Sequence, residues 1–401
     1  MAPELGTLLL QVVVIGFVAR GLGWLFARLH QPRVVGEIVA GILLGPSLLG
    51  WLAPSVSAFV FPPAELGPLY SLSQVGLLLF MFKVGVDLDL RQLRKMGPAV
   101  VLTSNISILV PFLGGFALAW FLYSRLSSPT VSISVFAMFM GTAMSITAFP
   151  VLARILTERN LLHSKIGSIA ISSAAVDDVT AWCLLALLLA KLRSHAGTPL
   201  WFTMGGLIAY VALMTCGVRP LLARITTFQN ETISTDSLAL VLLFAFLSAW
   251  ITERLGIHAL FGAFFAGLVL PRSEGLVHSV ASKLETLSNA VLLPLFFAFT
   301  GLRTSVRLMS GTTLWFYCGL IIAVAVSGKV LGCMVAARSA EMSWRQALSL
   351  GLLMNTRGLV ELVILNVGLD LRVISPTLFS MMVVMALVTT FMTTPLLDLV
   401  A

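Results

Sequence analysis

Residues 166–189 read IGSIAISSAAVDDVTAWCLLALLL, an apolar stretch of helix length with two adjacent aspartates, Asp177 and Asp178, in its middle. A helix that spans a bilayer needs about 20 mostly apolar residues, and this stretch meets that length. An ionised carboxylate at the bilayer centre costs at least ~2.5–3.5 kcal/mol, so two in succession must face protein, water or a bound ion. We therefore expect a cation pathway beside this helix.

The composition of the whole chain is that of an integral membrane protein. Its 401 residues are 58% hydrophobic and 10% charged, whereas soluble domains are about 45–50% apolar and about 25% charged. The formal net charge of +8 is compatible in principle with nucleic-acid binding, but the basic residues separate apolar runs and form no basic stretch. We therefore expect the lipid bilayer as the surrounding partner and no nucleic acid.

The length criterion predicts about 13 membrane spans, with the sixth centred near Asp177. The Lys and Arg residues outside the spans are unevenly divided, with fourteen on one side of the predicted membrane and seven on the other. Cytoplasmic loops collect basic residues. The N-terminus is therefore predicted outside and the C-terminus in the cytoplasm.

An internal repeat is visible in two short motifs. The segment Gly36–Pro46 resembles Gly262–Pro271, and Leu79–Gly85 resembles Leu295–Gly301 in having Leu-Phe five residues before a glycine. An odd number of predicted helices separates the corresponding elements, so the two copies would have opposite orientations in the membrane. This is the inverted-repeat plan of many secondary transporters.

Polar residues interrupt the fifth and twelfth spans at corresponding places in the repeat. Proline removes a backbone donor and glycine eases unwinding, so both spans are candidates for discontinuous helices that cross near the midplane. Alternatively, the hydroxyl groups simply bond back to their own helices. The interrupting polar residues are Thr142, Ser145 and Thr147 in the first span and Asn355, Thr356, Arg357 and Glu361 in the second.

Lys329 is a charge within the eleventh predicted span, where Gly328 and Gly332 would allow close helix contact. A buried ammonium group needs an anion, and we expect Asp177 to pair with it. Successive helix residues point about 100° apart, so Asp178 would then face an ion cavity. The pair could also be purely structural, as could a salt bridge from Arg357 to Glu361 four residues further on.

Hard monovalent cations prefer oxygen ligands. We expect these from Asp178, from the hydroxyl groups of Thr142, Ser145, Thr147 and Ser173, and from carbonyl groups freed at the breaks. Burial and a neighbouring like charge both make a carboxyl group hold its proton more tightly. At least one of the two aspartates is therefore expected to exchange protons near neutral pH, in competition with the cation.

Four motifs resemble those of the monovalent cation:proton antiporter-2 family. They are SITAFPVLARIL at residues 145–156, the Asp-Asp pair followed by Ala181-Trp182, NTRGLVEL at residues 355–362 and the threonines of residues 389–395. The chain is most similar to the branch that contains plant cation/proton exchangers and their bacterial and fungal relatives. The resemblance covers essentially the whole chain.

This resemblance implies an all-α polytopic protein with the sodium/proton antiporter fold, homodimeric, in which an ion-carrying core moves like an elevator against a dimerisation scaffold. By analogy the scaffold would be residues 1–95 and 199–302, and the core residues 96–192 and 311–398. In electrogenic members the second aspartate binds the ion, here Asp178 with Na⁺ or K⁺, and the first pairs with a lysine, here Lys329. Plant members often carry Asn-Asp, so this chain departs from them in having two acids.

The residues and the resemblance together predict a secondary active antiporter that exchanges Na⁺ or K⁺ for protons in pH homeostasis, without a cofactor. A bacterial inner (plasma) membrane is the expected location. A cation channel lined by the same residues is the main alternative, and an organic-anion transporter fits poorly with an acidic site. An enzyme is not expected, because none of the five histidines lies at a span centre beside a nucleophile or metal ligand.

Overall fold

The computed structural model describes residues 3–88, 98–128, 131–162, 164–195, 200–225, 235–271 and 274–400. These residues are almost entirely helical, and the one β contact among them is a single bridge between Ser127 and Ile374. Residues 95, 96 and 199, at which the expected scaffold and core were divided, lie outside the described residues.

The helices of the first half carry both the first break and the aspartate pair. In chain order they are α1 (Pro3–Arg28), α2 (Arg33–Leu44), α3 (Leu49–Leu52), α4 (Pro54–Val60), α5 (Leu66–Asp87), α6 (Pro98–Leu126), α7 (Ile133–Ser145), α8 (Phe149–Glu158) and α9 (Lys165–His195).

The second half contributes the lysine helix and the second break. Its helices are α10 (Leu200–Ala212), α11 (Arg219–Ile225), α12 (Thr235–Leu255), α13 (Ala259–Val269), α14 (Glu274–Leu287), α15 (Leu293–Leu302), α16 (Thr312–Ser339), α17 (Trp344–Met354), α18 (Leu359–Asp370) and α19 (Pro376–Val400).

Eleven helical segments among the described residues are long and apolar enough to cross a membrane, and a twelfth is added if the bent pair α17 and α18 is counted as one span. The 11-residue helix α13 is shorter than a span. Backbone polar groups in lipid must be satisfied within the protein, which helices do. The all-α polytopic fold is therefore confirmed, while the expected count of about 13 spans stays a prediction.

The chain forms two compact units. One comprises Met1–Leu66, Gln92–Leu185 and Phe297–Ala401, and the other Gly67–Arg91 and Ala186–Phe296. The aspartates, the lysine and both breaks all belong to the first unit. The expected functional division into scaffold and ion-carrying core stays a prediction.

The glycines of the sequence repeat lie at close helix crossings. In the first unit, a Cβ on Gly41 of α2 would overlap the carbonyl group of Ala298 in α15, and one on Gly301 would overlap the carbonyl group of Ile38. Such crossings require glycine because the two backbones touch directly.

The second unit contains the same kind of crossing. A Cβ on Gly85 of α5 would overlap the carbonyl group of Phe264 in α13, and one on Gly267 would overlap that of Phe82. In each unit, a glycine of one motif type therefore packs against a glycine-bearing helix of the other type. This arrangement fits the proposed repeat, whose inverted orientation stays a prediction.

Candidate functional site

Both polar interruptions break their helices, and the breaks touch each other. Helix α7 ends at Ser145 and α8 begins at Phe149, with Ile146 and Ala148 in extended conformation. Helix α17 ends at Met354 and α18 begins at Leu359, and the two are bent by 41°. The backbone N–H of Ala148 donates to the carbonyl oxygen of Thr356 at 2.9 Å. The first break is therefore joined to the second by its main chain.

Arg357 satisfies carbonyl groups that the first break leaves free. Its Nη1 donates to the carbonyl oxygen of Ala143 at 3.0 Å and its Nη2 to that of Met144 at 2.6 Å. The last carbonyl groups of a helix lack partners within the helix, and a cation there is favoured by the helix dipole. Glu361 forms an ion pair with Arg357 at 3.7 Å, as their spacing suggested.

Threonines of α19 hold the second break. The backbone N–H of Arg357 donates to Thr390 Oγ1 at 3.0 Å, and the same hydroxyl donates to the carbonyl oxygen of Arg357 at 2.7 Å. Thr393 Oγ1 lies 3.3 Å from the carbonyl oxygen of Leu352. Thr356 donates to its own segment, to the carbonyl oxygen of Leu353 at 2.6 Å. No specific role was predicted for Thr390 or Thr393, because their partners are backbone groups distant in the chain.

Asp177 is surrounded by donors. Its Oδ2 lies 3.0 Å from Lys329 Nζ, forming the expected ion pair, and 2.7 Å from Thr147 Oγ1. Ser107 Oγ lies 2.9 Å from Oδ1 and 2.8 Å from Oδ2. Lys329 also donates to Thr147 Oγ1 at 2.6 Å. All four side chains are buried, so buried groups of the protein neutralise this carboxylate and donate hydrogen bonds to it.

Small residues bring the lysine helix close to Ser107. A Cβ on Gly328 of α16 would stand 3.0 Å from Pro111 Cα on α6, and one on Gly332 would stand 3.3 Å from Val110 Cβ. The two glycines that flank Lys329 therefore face α6, the helix that carries Ser107. The expected close helix contact beside Lys329 is present.

Asp178, the next residue along α9, has different surroundings. Its side chain is buried, and its Oδ1 has no hydrogen-bonding partner among the described residues. The carboxyl group does interact with the backbone N–H of Phe149, the first residue of α8. Trp182, one turn further on the same face, also has an indole N–H without a partner in the described part of the chain. Two polar atoms on this face of α9 are thus without hydrogen bonds among the described residues.

The remaining predicted site residues fall into two groups. Thr142 and Ser145 bond back to their own helix, to the carbonyl oxygens of Met138 and Thr142 at 2.8 Å each. Their oxygen atoms keep lone pairs, so these bonds do not prevent them from accepting an ion. The polar side-chain atoms of Ser173, Asn355 and Glu361 are buried and have no hydrogen bond among the described residues.

Ser107 was not among the residues predicted from the sequence. It follows Thr103, Ser104 and Asn105 in a mainly apolar span, and such serines usually bond to their own helix. A cluster of four polar residues within a span was the available signal. Which of them faces Asp177 depends on the rotation of α6 in the fold.

The donor set around the breaks consists of carboxylate, hydroxyl, amide and carbonyl oxygens, which suits hard monovalent cations. No group of three or more His, Cys, Asp or Glu residues in the described ranges is placed to hold a metal ion. Crossed half-helix ends with oxygen ligands are the arrangement of ion sites in secondary transporters.

The sequence profile of the transmembrane sodium/hydrogen exchanger family matches residues 13–399. The chain belongs to this family. It is an integral membrane protein of a transporter family, not of an enzyme family, as the motifs indicated. The expected resemblance to cation/proton antiporters is confirmed.

Relatives of known name are similar along nearly the whole chain. The Na⁺/H⁺ antiporter NhaS4 of Synechocystis is 43% identical over 392 residues, 97% of this chain and 96% of that protein. Cation/H⁺ antiporter 18 of Arabidopsis thaliana is 39% identical over 96% of this chain and 48% of its own length. K⁺/H⁺ antiporter 1 of Saccharomyces cerevisiae is 33% identical over 94% and 44%. The chain thus spans about half the length of the plant and yeast relatives.

The fold matches a solved structure of the same class. The sodium/proton antiporter MjNhaP1 of Methanocaldococcus jannaschii aligns with a TM-score of 0.66 and 17% identity, covering 98% of this chain and 95% of that one. This likeness confirms that the chain has the sodium/proton antiporter fold.

Proposed function

We propose that this protein is a secondary active antiporter that exchanges Na⁺ or K⁺ for protons, and that Asp178 binds the cation or the proton in competition. Its family membership and the names of its Na⁺/H⁺ and K⁺/H⁺ antiporter relatives support the exchange. The choice of Asp178 over Asp177 rests on the local contacts of the two side chains.

The assignment of Asp178 as the ion-binding residue rests on one observation. The Oδ1 atom of Asp178 is buried without a hydrogen-bonding partner among the described residues. It lies beside the first break, where the backbone between Ser145 and Phe149 is not helical. A buried carboxylate with one oxygen unsatisfied is costly, and a bound cation or a proton removes that cost. Because one oxygen atom accepts either but not both, loading one releases the other. That exclusion couples the two fluxes.

The proposal gives separate roles to the neighbouring side chains. Thr142, Ser145 and Ser173 would supply hydroxyl ligands to the cation, and Asn355 an amide oxygen. Asp177 and Lys329 would form a charge pair, hydrogen-bonded by Thr147, that sets the pH range of exchange. Arg357, Thr356 and Glu361 would keep the breaks in place. The ion is the transported substrate, so no cofactor is required.

Transport would proceed by elevator-type alternating access. Residues 96–192 and 311–398 would carry the ion, and residues 1–95 and 199–302 would form the scaffold of a homodimer. The uneven distribution of basic residues supports an N-terminus outside and a C-terminus in the cytoplasm. Saturable exchange of protons in fixed proportion to cations would distinguish this carrier from a channel.

Flux in proteoliposomes tests the assignment. We expect Asp178→Asn to abolish cation-driven proton flux, because the amide neither carries the negative charge nor exchanges a proton. Asp177→Asn is the matched control, since it changes the adjacent residue by the same atoms, and we expect it to keep measurable exchange with an altered pH profile. Flux at the wild-type rate in Asp178→Asn would rule out the proposed site. Measuring Na⁺, K⁺, Li⁺ and Rb⁺ in turn would identify the substrate.

A further inference from the structure

Arg159, the residue directly after α8, binds the end of that half-helix to α19. Its Nη2 donates to Asp398 Oδ2 at 2.9 Å and to the carbonyl oxygen of Thr394 at 3.3 Å, and its Nη1 pairs with Asp398 Oδ1. An arginine that meets both oxygens of one carboxylate is fixed in direction as well as in distance. The end of α8 is therefore tied to the last two turns of α19.

The same face of α19 holds the second break. Thr390, Thr394 and Asp398 are spaced four residues apart, so they lie along one side of the helix. The hydroxyl group of Thr390 bonds the backbone N–H and the carbonyl group of Arg357. One side of α19 thus contacts the second break at Thr390 and the end of α8 about 12 Å further along the helix.

The start of α8 is attached to the same helix through the second break. The backbone N–H of Ala148, just before α8, donates to the carbonyl oxygen of Thr356 at 2.9 Å, and Thr356 directly precedes Arg357. Half-helix α8 has 10 residues and is therefore about 15 Å long, close to the distance between the two contact points on α19. Both ends of α8 are thus held by α19, the far end directly and the near end through the second break.

Apolar packing alone would not fix the direction of this half-helix. Val151 and Leu152 of α8 belong to the same buried apolar cluster as Leu397 of α19. Apolar contacts are non-directional, so they hold the two helices together without setting the tilt of one against the other. The contacts of Arg159 are directional, and they lie at the end of α8 that is remote from Asp178. A small movement there changes the direction in which the whole half-helix points.

We propose that Arg159 is a positioning residue for the cation site, which orients α8 through Asp398 and so sets where the start of α8 lies relative to Asp178. The inference rests on the proposed function and adds to it a residue outside the proposed ligand set. The start of α8 matters because the backbone N–H of Phe149 interacts with the Asp178 carboxyl group. A shift of α8 therefore alters the site without removing any of its ligands.

The test is the dependence of proton flux on cation concentration in proteoliposomes, titrated with Na⁺ and then with K⁺. Arg159→Gln removes the charge and the forked pair of donors. We expect its KM for the cation to rise about five-fold, the effect of one weakened hydrogen bond at the site. The maximal rate should change less than the KM, because every ligand and both aspartates are still present.

Thermal unfolding separates this effect from a loss of stability. The side chains of Arg159 and Asp398 are 20% and 59% exposed, and exposed ion pairs contribute little to stability. The unfolding temperature of Arg159→Gln should therefore fall by no more than about 2 °C. A purely structural pair would change the unfolding temperature and leave the KM as in the wild type.

Arg338→Gln is the matched control, because it makes the same change at the end of another helix. Arg338 lies in the last turn of α16. Its described contacts are with the carbonyl oxygen of Met342 and the ring of Trp344, and neither residue belongs to α8 or α19. The KM of this variant should equal that of the wild type.

Asp398→Ala tests whether Arg159 acts through its partner. It should raise the KM in the same direction, and the double variant should raise it no further than Arg159→Gln alone, because both changes break one contact. A wild-type KM in either single variant, an equal rise in Arg338→Gln, or fold-changes that multiply in the double variant would overturn the proposal. Since Asp398 is mostly exposed, its variant decides the question even if Arg159→Gln fails to fold. None of these outcomes alters the Asp178→Asn comparison, so failure of this inference is distinguishable from failure of the proposed exchange site.

Discussion

The carboxyl group of Asp177 accepts hydrogen bonds from Lys329, Thr147 and Ser107, whereas Asp178, its neighbour in the chain, has an oxygen without a hydrogen-bonding partner among the described residues. Both side chains are buried to nearly the same extent. Burial alone therefore does not distinguish them, and the contrast lies in which groups neutralise each charge. The protein itself neutralises Asp177.

The difference follows from helix geometry. Adjacent residues on a helix point about 100° apart, so Asp177 faces α6 and the lysine of α16 while Asp178 faces the start of α8. A carboxylate compensated by fixed groups is a stable part of the structure. A carboxylate that lacks such fixed groups is stabilised instead by a cation or a proton that binds and is released. Substitutions on the two sides of this contrast should therefore differ in their effects, and the largest is expected at the lysine.

Lys329→Gln should be the most damaging change to stability. Removing one partner of a buried ion pair leaves the other charge uncompensated, which costs roughly 3–5 kcal/mol. Asp178 has no such partner, so Asp178→Asn should unfold at the same or a higher temperature than the wild type. Thermal unfolding in detergent measures both, and the flux assay should show a shifted pH profile for Lys329→Gln.

The double variant Asp177→Asn with Lys329→Gln is the control, because it removes both charges together. We expect it to regain most of the lost stability, since neutral partners of similar size can replace a buried pair at little cost. If the double variant is as unstable as Lys329→Gln, the lysine packs against something other than its aspartate. An unchanged pH profile in Lys329→Gln would mean that the pair is purely structural.

Arg357→Ala should come next, because it removes the support of the break that Asp178 faces. Two hydrogen bonds from the guanidinium group to the carbonyl groups of Ala143 and Met144 would be lost, and Glu361 would lose its counter-ion. Hydrogen bonds to charged groups are worth about 1.5–3 kcal/mol each, so we expect a loss of at least about 3 kcal/mol in the same unfolding experiment.

Arg357→Lys refines this second prediction. Lysine keeps the positive charge beside Glu361 but cannot present two parallel N–H groups to adjacent carbonyl groups. Its stability should therefore lie between those of the wild type and the alanine variant. Equal stability of the lysine variant and the wild type would show that the charge matters and the forked geometry does not.

The sequence was sufficient to predict one side of the contrast. Lys329 needed an anion, and elimination left Asp177, Asp178 and Glu361 as candidates. Asp177, the expected partner, is the one in contact with Lys329. The breaks were also predictable, because glycine, proline and polar residues cluster within two otherwise apolar spans. These features depend on local composition and on the cost of burying charge, both of which are visible in a sequence.

The other contacts depend on which helix faces which. Ser107 donates to Asp177 across 70 positions of the chain and Thr390 holds Arg357 across 33. A cluster of polar residues in a span does not show which member faces another helix or which group it meets there. Thr142 and Ser145 show the opposite case. They were expected as ligands, and the bonds they make are to their own helix, so their role towards the ion stays a proposal. The rotation of each helix about its axis decides which partner a hydroxyl group meets. The packing of the whole protein sets that rotation.

Ser173→Ala should have the smallest effect on stability and so provides the finest test. Its hydroxyl is buried without a partner among the described residues, so removing it breaks no hydrogen bond and should change the free energy of unfolding by no more than about 0.5 kcal/mol. Thr147→Val, by contrast, removes a group that bonds both Asp177 and Lys329, and should cost about 1–2 kcal/mol. If Ser173 is an ion ligand, its variant should raise the KM for the cation several-fold at unchanged stability. A KM equal to that of the wild type would remove Ser173 from the proposed site without affecting the assignment of Asp178. The Ser173 hydroxyl would then be a buried polar group that lowers stability and does not bind the ion.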